Sequence, residues 1–149
     1  MATERKTLFR DLLFFLKDQL STNIEDPITN RGISSKFVMT SYPEREVRYP
    51  LITLEITNVS ESRAGMQTTA MDINLTLEIR IWSKSVAQSD KLTQEILDEL
   101  ADIQFTATTG SVANDFHDFN IGSVVRVDEP GKGGTKSRII QVSYKFFNL

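Results

Sequence analysis

Between Met71 and Ile81 the chain places a large apolar residue at every second position: Met71, Ile73, Leu75, Leu77, Ile79 and Ile81 alternate with Asp72, Asn74, Thr76, Glu78 and Arg80. A period of two is that of a β-strand, whose successive side chains leave opposite faces. The pattern predicts a long strand with Ile73, Leu75, Leu77, Ile79 and Ile81 on one buried face. It also constrains the sheet around that strand. A parallel strand covered by helices on both sides reads as continuously apolar, so clean alternation points to an antiparallel or mixed sheet with helices over one face only.

The rest of the chain supplies those helices and further strands. Leu8, Phe9, Leu12, Leu13, Phe15, Leu16 and Leu20 form a stripe of helical period, which predicts an amphipathic helix over residues 7–20. Residues 21–35 gather Pro27, Gly32, Asn and Asp, a loop composition, and a short strand is expected at 36–40. After Tyr49-Pro50, a strand-entry position where proline costs no ladder bond, Ile52, Leu54 and Ile56 alternate with Thr53 and Glu55. Ser85 and Gln88 have capping-box spacing ahead of Leu92, Ile96, Leu97, Leu100 and Ile103, predicting a second helix that ends near Ile103. Residues 106–120 read as a loop, 121–127 as a strand and 129–136 as a turn. A closing strand then carries Ile140, Val142, Tyr144 and Phe146 on one side. The expected fold is α+β, in the order α-β-β-β-α-β-β: a mixed, mostly antiparallel sheet of four to five strands with both helices packed on one face. At 149 residues, with no repeat and no linker, a single domain spanning 1–149 suffices.

Composition narrows the function classes. Seventeen basic residues against 20 acidic ones give a net charge of -3, the wrong sign for a protein whose whole surface grips phosphate. The absence of cysteine removes disulfide frameworks, thiolate metal sites and cysteine nucleophiles. Charges at Arg10, Asp11, Lys17 and Asp18 break the first apolar stretch, so no export signal is expected. The longest apolar run, Leu12 to Leu16, is far short of the roughly 18 residues of a membrane span.

Catalytic patterns are correspondingly poor. Gly131-Lys132-Gly133-Gly134-Thr135-Lys136-Ser137 has phosphate-loop residue types at the wrong spacing, and a strand follows where a helix N-terminus is needed, so a flexible turn is the plainer reading. His117, the only histidine, lies in Asp115-Phe116-His117-Asp118, where a solvated loop is favoured over a metal site. No Gly-x-Ser-x-Gly elbow is present to serve a hydrolase. Neither a cofactor nor a metal is expected. Two clusters of charge remain. The second helix carries Asp90, Glu95, Asp98, Glu99 and Asp102 against Lys91, either a solvated face or a charged mating or lining surface. Lys132, Lys136 and Arg138 give the last hairpin the opposite sign, either a solvated turn or a site for an acidic partner.

Tyr49-Pro50-Leu51-Ile52-Thr53-Leu54-Glu55-Ile56, a polar stretch, and then Leu75-Thr76-Leu77-Glu78-Ile79-Arg80-Ile81-Trp82-Ser83-Lys84-Ser85 leading into a helix resemble the core of the tail terminator (tail-completion) proteins of tailed bacteriophages. The resemblance extends to the order of elements over nearly the whole chain, while residues match in those two stretches. It implies a non-enzymatic structural protein of the virion, located at the head-proximal end of the tail and assembled in the host cytoplasm. Such a protein forms a homo-oligomeric ring, typically a hexamer, on the last ring of the tail tube protein. It ends tube elongation and supplies the surface on which a head-tail connector or head-completion protein docks, while DNA passes through without specific binding. In such a ring Lys132, Lys136 and Arg138 are expected to bind a neighbouring subunit or the tube, with Glu95, Asp98, Glu99 and Asp102 either meeting them or lining the lumen. Competing readings are another neck or head-completion protein, a small ligand-binding or enzymatic domain built around His117, and a nucleic-acid-binding module.

Overall fold

The computed structural model describes residues 8–28, 37–40, 49–63, 65–66, 71–105, 116–129 and 135–148. Helix α1 (Leu8–Asn23) is followed by strands β1 (Val38–Met39), β2 (Leu51–Arg63) and β3 (Met71–Ser83), helix α2 (Val86–Phe105), and strands β4 (Phe116–Glu129) and β5 (Thr135–Asn148). The order is the expected α-β-β-β-α-β-β, and the fold is α+β.

The five strands form one sheet in the order β1-β2-β3-β5-β4. The β1–β2 pair is parallel and the others are antiparallel. It follows that β3 and β4 run the same way, joined through α2, and that β5 fills the gap between them antiparallel to both. Central position explains the strength of the β3 signal. Its 13 residues pair with β2 on one side and β5 on the other, so its apolar side chains have no exit sideways.

The core lies between the helices and one sheet face. Ile73, Leu75, Leu77, Ile79 and Ile81 are fully buried, as the alternation predicts, and Ile140, Val142 and Tyr144 of β5 stand level with them. From the helices come Leu12, Leu16, Leu20 and Ile24 on one side and Leu92, Ile96 and Leu100 on the other, at the three- and four-residue spacings that keep one helical face inward. Helix α1 packs on β1 and β2, and α2 on β3 and β5. After α1 the Asp26 carboxylate accepts the Ile28 N–H at 2.9 Å, an Asx turn that carries the chain away from the helix.

Several boundaries and one side chain depart from the sequence reading; α1 runs past Leu20 to Asn23, and the strand expected at 36–40 is Val38–Met39 alone. Strand β2 continues to Arg63 and not merely to Ile56, because its polar half, Asn58–Arg63, is held by the complementary ladder of β3. Strand β4 begins at Phe116 and not at 121. Residues 116–120 have a loop composition, but β5 supplies partners to them, with register shifts at 117/120 and 121/123 absorbing the mismatch. His117 thus belongs to a strand. The expected turn at 129–136 shortens, since β4 runs to Glu129 and β5 starts at Thr135, and α2 extends to Phe105. Phe9, expected inward, is 50 % exposed, being one turn ahead of Leu12 where the buried stripe starts.

Because Leu77 is fully buried mid-stripe, Leu77→Ala is expected to cost about 2–5 kcal/mol, and Leu77→Asp to abolish soluble folded protein by forcing an unpaired charge into the core. Chemical denaturation and circular dichroism measure both. An unchanged thermal midpoint in Leu77→Asp would refute the assigned face.

Candidate functional site

The two stretches that carry the sequence resemblance meet at one corner of the sheet. The Tyr49–Pro50 peptide, which is cis, leads into β2, and Leu51 pairs with Trp82 at the end of β3. Trp82 lies in phase with Arg80 and Glu78, on the face turned away from the helices, yet it is buried. Its indole Nε1 donates to Thr53 Oγ1 at 3.0 Å. The Arg80 guanidinium stacks 4.3 Å from the centre of the Trp82 ring and donates to Ser137 Oγ at 3.3 Å, while Ser137 donates to the Val127 carbonyl at 2.8 Å. A polar chain therefore crosses β2, β3, β5 and β4 at one height, and the stack orients the guanidinium by cation–π attraction.

The next residues make the turn into α2. Ser83 is fully buried; its Oγ accepts the Ser85 N–H at 3.1 Å and lies within hydrogen-bond distance of the Ser85 carbonyl and of Gln88 Oε1. Ser85 Oγ in turn accepts the Gln88 N–H at 3.4 Å. The capping role expected of Ser85 and Gln88 is thus shared with Ser83, which takes the backbone donor that Gln88 would reach in a full capping box. Lys84 places its ammonium 5.7 Å from the Tyr49 ring, tying the start of β2 to the end of β3.

A cleft of about 310 Å³ opens beside this corner, lined by Thr40, Thr53, Leu54, Glu55, Glu78, Arg80 and Trp82. Glu55 and Glu78 are direct cross-strand partners in it, a like-charge pairing that disfavours the sheet locally. His117 is at the far end of β4 from this cleft, in register with Lys145.

The predicted charged residues separate into three environments. Arg138 is a strand residue, in phase with Ile140, Val142 and Tyr144, so it faces the helix layer and bonds Asp90 on the flank of α2. Its partner within the chain is thus Asp90, which is not among Glu95, Asp98, Glu99 and Asp102, the acids expected to meet the hairpin. Lys136, two residues earlier on the same face, is half-buried opposite Ser83, and Lys132 lies outside the described residues. On the other flank Glu99 accepts a 2.7 Å bond from the Asn23 amide of α1. Asp98 and Asp102 are exposed, with Gln94 donating to Asp98 at 3.2 Å, and Glu95 is half-buried between them and a cleft beside Glu25 and Asp26.

Sequence reasoning missed the Trp82–Arg80–Thr53–Ser137 chain. Its available signal was the placement of an aromatic and a cation two residues apart on the polar side of an alternating strand. Protein-family models and curated proteins, searched with this sequence, contain no match to it. Among the described residues no helix is long and apolar enough to cross a membrane.

Two measurements probe the flanks of α2. Arg138→Glu sets like charges against each other, and adding Asp90→Lys reverses the pair; the double variant is expected to recover most of the thermal midpoint lost in Arg138→Glu, by up to about 1 kcal/mol for so exposed a pair. At Glu99, partial burial raises the carboxyl pKa, the Asn23 hydrogen bond opposes the shift, and Asp102 adds to it. A folded pKa above the ordinary value of 4.5 means the native state binds the proton more tightly, so this group's contribution to stability falls as pH rises through 4.5 and the folded pKa. Glu99→Gln keeps an acceptor for Asn23. Its midpoint should exceed that of the parent at neutral pH, the gap closing as pH falls below 4.5; a gap that widens in acid would contradict the assignment.

Proposed function

We propose that this chain is a structural subunit of a viral tail, a tail terminator that forms a ring on the tail tube, stops its growth and presents the docking surface for the head or its connector. The observation that carries the reading is the corner just described. The Tyr-Pro strand and the Ile-Trp-Ser strand, far apart in sequence, are antiparallel neighbours with Leu51 opposite Trp82, and the second leads directly into α2. The surrounding order of elements is the one that the resemblance implies.

Other features support a role in assembly over chemistry. The Trp82 indole, the Thr53, Ser83 and Ser137 hydroxyls and one terminal guanidinium nitrogen of Arg80 are bonded to one another, to the Val127 carbonyl or to the cap of α2. The exposed acids Asp98 and Asp102, with Glu95 beside them, suit a wall past which DNA must slide, since like charge repels the phosphate backbone. In this reading the partners are further copies of the chain, the tail tube protein and a head-side connector, and the location is the head-proximal end of the tail.

Infection by a virus lacking this protein is expected to yield tubes of uncontrolled length and filled heads without tails, with joining restored when the purified protein is added. Tails of normal length, joined to heads in its absence, would reject the proposal.

A further inference from the structure

The sheet ends on two long edges. On one side β1 covers only Ile52 and Thr53, so among the described residues no strand pairs with the outer side of Leu54–Arg63. On the other side β4, 14 residues long, is the last strand. Open edges are templates for pairing with another chain, and proteins that stay monomeric blunt them with charged side chains, lysine above all, with proline, with β-bulges or with a very short edge strand. Neither Leu54–Arg63 nor Phe116–Glu129 contains a lysine or a proline. The neighbours Val124 and Val125, one on each face of β4, are 40 % and 46 % exposed. The register shifts of β4 are confined to 117–123, which leaves Ser123–Glu129 as a regular run. The shift in β2 falls between Ile56 and Asn58, leaving Asn58–Arg63 regular.

We propose that the outer edge of β4 pairs with the outer edge of β2, at Asn58–Arg63, in a second copy of this chain, extending one sheet from subunit to subunit. The proposal deepens the ring reading above and rests on it for biological meaning. Three observations select β2 of another copy as the occupant. First, β2 and β4 run in opposite directions within the sheet, so a second copy laid alongside with its helices on the same side meets β4 antiparallel. Second, the two regular runs match in face and charge. Pairing Arg126 with Glu61 sets Val127 beside Ser60 and Val125 beside Ser62 on the face away from the helices, and Val124 beside Arg63 on the helix side. Pairing β4 with itself about Arg126 would instead oppose two arginines. Third, a contact between two different edges always leaves one of each at the ends, so copies add until rotation closes a ring, whereas a β4–β4 pair stops at two and leaves β2 bare.

The chain has no cysteine, so introduced thiols report the contact directly. Ser62→Cys and Val125→Cys proteins are purified separately, mixed and oxidised, and the same is done with Ser60→Cys and Val127→Cys. Each mixture is expected to give a disulfide-linked dimer containing one copy of each variant, while neither variant links to itself. Val125→Lys, a change at an exposed position, is expected to shift the oligomer to monomer with an unchanged circular dichroism spectrum, its thermal midpoint no longer depending on protein concentration. Absence of both mixed dimers, self-linking of Val125→Cys at the rate of the mixture, or oligomerisation of Val125→Lys like the parent would each overturn the proposal. Rings on tails without the mixed dimers would reject edge pairing and leave the tail reading standing. Mixed dimers from a protein whose loss leaves tails normal would do the reverse.

Discussion

The structure depends on the one-sided burial of β3. Five aliphatic side chains, Ile73, Leu75, Leu77, Ile79 and Ile81, leave a strand that is paired on both edges, and all five are fully buried. Burying such a side chain is worth about 1.5–3 kcal/mol, so the five together are a large part of what holds the core. Its length fixes how far β2 and β5 extend, and its facing decides where the helices go. Leu12, Leu16 and Leu20 of α1 and Leu92, Ile96 and Leu100 of α2 come to that face because it presents the apolar surface that their own stripes need.

The polar face of the same strand does different work. Thr76, Glu78 and Arg80 alternate with the core residues on the opposite face, which no helix among the described residues covers, and Trp82 closes its upper corner. There an indole, one guanidinium nitrogen and two hydroxyls hydrogen-bond across β2, β3, β5 and β4, with the guanidinium stacked on the indole. A network confined to one height of the sheet specifies register, because a slip of one residue would move every partner to the other face. The corner therefore fixes the alignment of the strands, and the acids and edges lower down are positioned by it.

What could be read from the sequence follows from which contacts are local. The β3 stripe and the α2 stripe are legible since each element's own neighbours set the period. The first residues of β4, Phe116-His117-Asp118-Phe119-Asn120, become a strand through β5, and the polar half of β2 through β3, so neither is visible without the partner. Arg138 shows a finer case. Its phase with Ile140 and Val142 already assigns it to the helix side of β5, but the acid it meets, Asp90, is 48 residues away and enters only when α2 is docked. The Trp82 network was illegible for the same reason, since Thr53 and Ser137 share its level only through cross-strand register.

Under the function proposed above, the sheet serves as a rigid frame, and its edges and the acidic face of α2 serve as contact surfaces. The most direct measurement is electron microscopy of virions bearing a gold-labelled copy of this chain. The account predicts label confined to one ring at the head-proximal end of the tail tube. Label distributed along the tube or within the head, or absent from purified virions, would contradict it.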